Sequence, residues 1–243
     1  MPVIAPTRSA PTAAAFLATN RGGGLLSEAI DQPVGARIAL GGYRLGLAPS
    51  VLTIVNLLVG VGTSAVVIAL AGPMHRGTVP AVAVGLGALV LWHVAYEFDC
   101  ADGQLARVAH RTSATGARLD ILCDVAVQIA LVSAVSAVAV HYQPRTPAWF
   151  VSAFAACWMI NLVTSVLAGG AQAQSLMTSR SLAVRLVKLS RDYGAMITLM
   201  GLGIALIPRY LVWIMVAFTV VNVLFLMASI AAATAKSLRP SDD

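Results

Sequence analysis

Six apolar runs, at 51–72, 79–98, 121–140, 147–171, 193–208 and 211–235, constrain this chain more than any other feature. A helix that crosses a bilayer needs roughly 20 predominantly apolar residues, and these runs reach or approach that length, the fifth being the shortest. Charged residues make up only 11% of the chain, against roughly 25% in a soluble domain. So few cannot cover a water-facing surface. The runs exclude a disordered chain, a coiled coil and a disulfide scaffold. The sequence predicts an all-α, polytopic membrane protein with six transmembrane helices.

Six spans consume more than half of the 243 residues, which leaves no room for a separate soluble domain. One membrane domain over 48–236 is expected, preceded by an arm over 1–47 and followed by a tail at 237–243. The arm carries Gly22-Gly23-Gly24 and Gly41-Gly42, and reads as a disordered start leading into a short interfacial helix near 33–43. The apolar stretch at 13–18 is weak and Arg8 is the sole charge before it, which argues against a signal peptide.

An even number of spans puts both termini on one side. Of the 16 Lys and Arg residues, 13 fall on that side and only Arg76, Arg145 and Arg209 on the other. The bias places both termini in the cytoplasm, with the chain in the plasma membrane. Anionic lipid headgroups account for the net charge of +6. No basic patch interleaved with aromatics points to nucleic acid. Cys100, Cys123 and Cys157 fit neither a metal-binding spacing nor a disulfide framework, so they are expected to pack as small apolar residues.

The acids carry more information. Five of the 10 fall between Glu97 and Asp124, and a carboxylate in a spanning region is costly unless it pairs, meets water or binds a cation. Asp99 and Asp102 are three apart and Asp120 and Asp124 four apart, so each pair shares a helical face. The polar link at 108–115 is short enough to join antiparallel neighbours, which would set the two pairs face to face. Gly103 and Ala106 leave room beside them. Four carboxylates without His or Cys suit a hard divalent cation, Mg²⁺ or Mn²⁺, with two ions as the expected partners. Local ion pairs such as Asp99–Arg107 and Asp120–Arg118 are the simpler alternative.

The pattern Asp99-x-x-Asp102-Gly103-x-x-Ala106-Arg107, eight residues, Gly116-x-x-x-Asp120-x-x-x-Asp124 resembles the signature of the CDP-alcohol phosphotransferases (phosphatidyltransferases). All eight signature residues are present. Pro49-Ser50-Val-Leu-Thr53-Ile-Val-Asn56 is similar to that family's opening segment, with Ser50 where Asn is common. The resemblance covers about residues 45–235. It implies transfer of a substituted phosphate from a CDP-linked donor to an alcohol, with release of CMP. On that basis Asp99, Asp102, Asp120 and Asp124 hold two divalent ions, Asp124 is also the general base, and Arg107 binds donor phosphate. Gly103, Ala106 and Gly116 admit the cytidine, with Asp102 and Thr53 beside it. CDP-diacylglycerol is the favoured donor and a homodimer the expected assembly; a CDP-choline, CDP-ethanolamine or CDP-polyol donor is the alternative.

The acceptor is less legible. Arg180, Lys188 and Arg191 either form an anion pocket for a phosphorylated alcohol, of the inositol phosphate or glycerol phosphate type, or simply obey the positive-inside bias. Gln128 shares the face of Asp124 and is the further acceptor candidate, or else an interhelical hydrogen bond like Asn161 and Asn222. His93 and Glu97, four apart, are expected to bond each other, unless Glu97 lines the nucleotide or acceptor pocket, and Asp192 to pair with Arg191. Gly60, Gly62, Gly85, Gly87, Gly201 and Gly203 are expected to admit close helix packing. A divalent-cation transporter would also embed carboxylates, but 147–235 has no acid across its helix cores; Asp192 sits just before the fifth run.

Overall fold

The computed structural model describes residues 10–20, 24–167 and 192–238, and every regular element among them is helical. A one-turn helix α1 (Ala13–Leu17) and a π-helical turn (Ser27–Asp31) lead into α2 (Gln32–Arg44). Then come α3 (Pro49–His75), α4 (Ala81–Val108), α5 (Ala114–Tyr142), α6 (Ala148–Leu167), α7 (Tyr193–Leu206) and α8 (Leu211–Ser237).

Four of these helices are long and apolar enough to cross a membrane: α3, α4, α5 and α8, the last as Pro208–Ala235 with its leading turn. The protein is thus a multi-pass membrane protein. Where the fourth and fifth spans are expected, the described residues hold shorter apolar helices, Ala148–Ile160 and Tyr193–Leu206. α7 stops early because Pro208, which lacks an N–H, opens a 3-10 turn (Pro208–Tyr210) that turns the chain into α8.

Local chemistry sets the helix starts. Pro49 begins α3, where its fixed φ and missing N–H cost nothing. Ser113 caps α5 by accepting from the Gly116 N–H at 3.0 Å, and Asp192 caps α7 by accepting from the Ala195 N–H at 3.4 Å. α4 ends where the Arg111 N–H returns to the Ala106 carbonyl at 2.8 Å, with His110 in the left-handed region at φ 53°. That reversal sends the chain back toward α5.

α3 is the central helix of the site half, packed along both α4 and α5. α4 and α5 are consecutive and antiparallel, yet they are not close-packed neighbours along their length, as the short link suggested. They splay around α3 and leave a gap between their polar ends. α7 lies along another flank of α4, while α6 and α8 pack together beside α5. Trp92, 1% exposed, donates its indole N–H to Ser64 Oγ at 3.0 Å and ties α4 to α3. Trp158 stacks on Phe218 at 4.8 Å and joins α6 to α8.

Several glycines let backbones touch. A Cβ on Gly60 would lie 2.6 Å from Val127 of α5, and one on Gly201 2.7 Å from Leu89 of α4. A Cβ on Gly85 would fall on the Ala205 backbone. Gly62 and Gly87, by contrast, have open space before them, so the sequence expectation of tight packing fails at those two. Gly85→Leu should therefore prise α4 from α7 and cost about 1–3 kcal/mol or more. Gly87→Leu should cost far less. Thermal unfolding of both in detergent checks the contrast.

Three further expectations need correction. The arm is not a disordered start over its described part. Phe16 of α1 is fully buried against Ala36, Ala39, Leu52 and Leu105, and α2 packs on α4 through Gly35 and Ala36. Asn222 donates to the Phe218 carbonyl of its own helix at 2.9 Å, not across helices. His93 does not turn to Glu97; its ring nitrogens meet Asp31 at 2.7 Å and Thr198 at 2.9 Å. The side chain of Asn161 lies outside what is described. Cys100, Cys123 and Cys157 are free, the last two buried, as expected of small apolar residues.

Candidate active site

The carboxylates meet across the gap between α4 and α5. Asp99 from α4 and Asp120 and Asp124 from α5 each present an oxygen, and these oxygens lie within 4.8 Å of one another. All three are half-buried. Helical spacing brings this about: Asp120 and Asp124 stand one turn apart on α5, opposite Asp99 on α4. An all-oxygen donor set held this tightly repels itself unless a cation intervenes, and it fits a hard divalent ion such as Mg²⁺ or Mn²⁺.

Asp102 stands slightly apart. It is 4% exposed and accepts a hydrogen bond from Thr53 Oγ1 of α3 at 2.5 Å. Asn56, one turn along the same face of α3, donates to Asp99 Oδ1 at 3.3 Å. α3 thus orients both carboxylates of α4. The role of Asn56 was not singled out from sequence, although its position three residues after Thr53 on one helical face was the available signal.

A cleft of about 160 Å³ opens beside the acids, lined by Thr53 of α3, Asp102, Gly103, Ala106 and Arg107 of α4, and Gly116 and Asp120 of α5. Its walls are low because of these small residues. The Arg107 guanidinium lies over Gly103, where a Cβ would be 3.0 Å from it. Gly116 faces the Ser113 hydroxyl at 3.0 Å, so a side chain there would crowd the α5 cap. The cleft therefore joins a guanidinium, backbone-lined walls and a carboxylate cluster, a combination suited to a phosphate-bearing ligand with a bound cation.

A family model matches residues 46–225, and its description is CDP-alcohol phosphatidyltransferase. The chain belongs to the CDP-alcohol phosphatidyltransferase family. The matched range contains all eight signature residues and leaves the arm outside, close to the extent expected from the motif. No curated protein matches the chain. As a member of a phosphotransferase family of phospholipid biosynthesis, the protein is a membrane transferase.

The acceptor candidates are less well placed. Gln128 accepts from Trp158 Nε1 at 2.9 Å, an interhelical bond that leaves its amide N–H groups and the second lone pair of its oxygen for a ligand. Arg180, Lys188 and Arg191 lie outside the described residues. Asp192 accepts through both oxygens, Oδ1 from Ser27 Oγ and the Ala195 N–H and Oδ2 from the Leu26 N–H; its expected pairing with Arg191 falls outside the described residues. Sequence reasoning also missed Tyr193, which packs edge-on to Tyr96 at 4.9 Å within electrostatic reach of Asp99 and Asp124.

Proposed function

We propose that this protein moves a phosphatidyl or similarly substituted phosphate from a CDP-linked donor, CDP-diacylglycerol, to the hydroxyl of a small polar or phosphorylated alcohol of the inositol phosphate or glycerol phosphate type, releasing CMP. The observation that carries this reading is the meeting of three carboxylates from two helices beside a small-walled cleft bearing Arg107.

Asp99, Asp102, Asp120 and Asp124 are assigned two Mg²⁺ or Mn²⁺ ions, which, when bound, offset the negative charge that builds on the diphosphate oxygens. Arg107 holds donor phosphate through its fixed N–H donors. Gly103, Ala106 and Gly116 admit the cytidine against the helix backbones. Thr53 holds the carboxylate of Asp102 in line with the cleft. Asp124 takes the proton of the acceptor hydroxyl. The acceptor oxygen then bonds to the lipid-linked phosphorus, and the bridging oxygen departs on CMP. Gln128, Arg180, Lys188 and Arg191 are assigned to the acceptor side.

The same reading completes six spans with α6 and α7, lays α2 at the membrane interface, and puts both termini and the site on the cytoplasmic side of the plasma membrane. The charge bias of 13 basic residues to 3 supports that orientation. The working unit is taken as a homodimer.

The test is direct. The purified chain in lipid nanodiscs, given CDP-diacylglycerol, Mg²⁺ and a panel of alcohols, should release CMP and yield a new lipid whose mass names the acceptor. If no CDP-linked donor, including CDP-choline, CDP-ethanolamine and CDP-polyols, releases CMP, the reading is wrong.

A further inference from the structure

Residues 24–31 lie outside the range that defines the family, yet their polar groups are spent on the start of α7. Ser27 Oγ donates to Asp192 Oδ1 at 2.5 Å, and the Leu26 N–H donates to Asp192 Oδ2 at 2.6 Å. The same Ser27 oxygen accepts from the Tyr96 hydroxyl at 3.2 Å and the Gly194 N–H at 3.3 Å. One hydroxyl thus joins the arm, α4 and α7 with its full complement of one donor and two acceptor sites.

A second tie lies one turn further on. Asp31 Oδ1 meets His93 Nδ1 at 2.7 Å, and His93 Nε2 meets Thr198 Oγ1 at 2.9 Å. The Thr198 hydroxyl also lies 2.9 Å from the Gly194 carbonyl of its own helix, so the imidazole links the arm to the first turn of α7. Ser27, Asp31 and Asp192 are each at most 1% exposed. Space is as tight as the bonding: a Cβ on Gly24 would land on the Asp192 carboxyl, and one on Gly194 on Asp31 Oδ2.

This joint borders the site on a definite side. Along α4, the cleft residues Asp102–Arg107 follow Asp99, whereas Tyr96 precedes it by one turn. On α4, Asp99 thus stands between the cleft residues and Tyr96, which packs on Tyr193. In an in-line displacement the incoming and leaving oxygens lie on opposite sides of the phosphorus. With the nucleotide in the cleft, the acceptor's side is the one walled by the two tyrosines.

We propose that residues 24–31 form a clasp that fixes the acceptor wall, with Ser27 and Asp31 as positioning residues acting through Tyr96, His93 and the start of α7. The proposal rests on the phosphotransferase reading. A wall displaced by a fraction of an ångström costs acceptor binding and alignment while leaving the nucleotide cleft as it was.

The test uses the full chain in nanodiscs and three variants. Ser27→Ala removes the joining hydroxyl, Gly24→Ala drives one methyl into Asp192, and Gly41→Ala adds a methyl in open space on α2. The first two should raise the acceptor KM about 10- to 100-fold with the donor KM within about twofold, and Gly41→Ala should match the wild type. Should one of the first two fail to fold, the other decides. Hydrogen exchange at the Leu26 and Gly194 amides reads the clasp without turnover: protection in the wild type should be lost in Ser27→Ala. Absent protection in the wild type, or equal shifts in both KM values, overturns the clasp. Clasp protection without CMP release from any CDP-linked donor overturns the phosphotransferase reading, and the acceptor role with it.

Discussion

Asp124→Asn should give a folded protein whose turnover is reduced about 10²- to 10⁴-fold, the usual worth of a positioned general base. Asn keeps the size of the side chain and a carbonyl oxygen, so the gap between α4 and α5 should hold its shape. What it loses is the ability to take a proton. The corresponding change at Asp120 supplies the comparison. If Asp120 serves only to bind a cation, Asp120→Asn should regain part of its turnover in excess Mg²⁺ or Mn²⁺, because mass action offsets a weaker site. Asp124→Asn should regain little at any cation concentration. CMP release measured across a Mg²⁺ titration separates the two, and near-normal turnover in Asp124→Asn removes the base assignment.

The second large effect is on stability. Three carboxylate oxygens within 4.8 Å repel one another in a site that is half withdrawn from water. A cation bound only by the folded chain adds about 2.7 kcal/mol at 100 times its Kd. Wild-type protein should therefore unfold several degrees higher in Mg²⁺ or Mn²⁺ than in chelator. Asp99→Asn should show little of that shift, since it removes one of the three converging carboxylates. In chelator the order should reverse: with one charge gone, Asp99→Asn should be at least as stable as the wild type. Thermal scans of the two proteins with and without cation read this crossing. Parallel behaviour of wild type and variant would mean that no cation binds at these carboxylates.

How far the sequence could be read depended on whether each residue's partner was near in the chain. Asp120 and Asp124 face the same way because a helix puts residues four apart on one side, so half of the acid cluster was visible in the spacing alone. Scarcity of charge did the rest. The cleft glycines were equally legible, for they belong to the motif. Failure came where a local rule competed with a distant partner. Helical spacing offered Glu97 to His93, but Asp31, 62 residues away, takes it. Chain adjacency drew attention to Arg191 beside Asp192, and gave no sign of Ser27, 165 residues away, which bonds the same carboxylate that caps α7. The arm shows no strong period before α2 and contains glycines, features that describe a loop well until its burial is known. The splay of α4 and α5 was also hidden, because the short link between them fixes their direction and not their separation.

The length of α7 bears on where the chemistry happens. Its 14 residues rise about 21 Å, whereas the hydrocarbon of a bilayer is about 30 Å thick. Under the proposed six-span reading, with the turn at Pro208–Tyr210 at the far interface, the helix falls about 9 Å short of the hydrocarbon thickness. The bilayer would then thin around it, or water would reach down to Asp192 and Tyr193. That reading would set the start of α7 in a depression open to lipid from the side and to water from above.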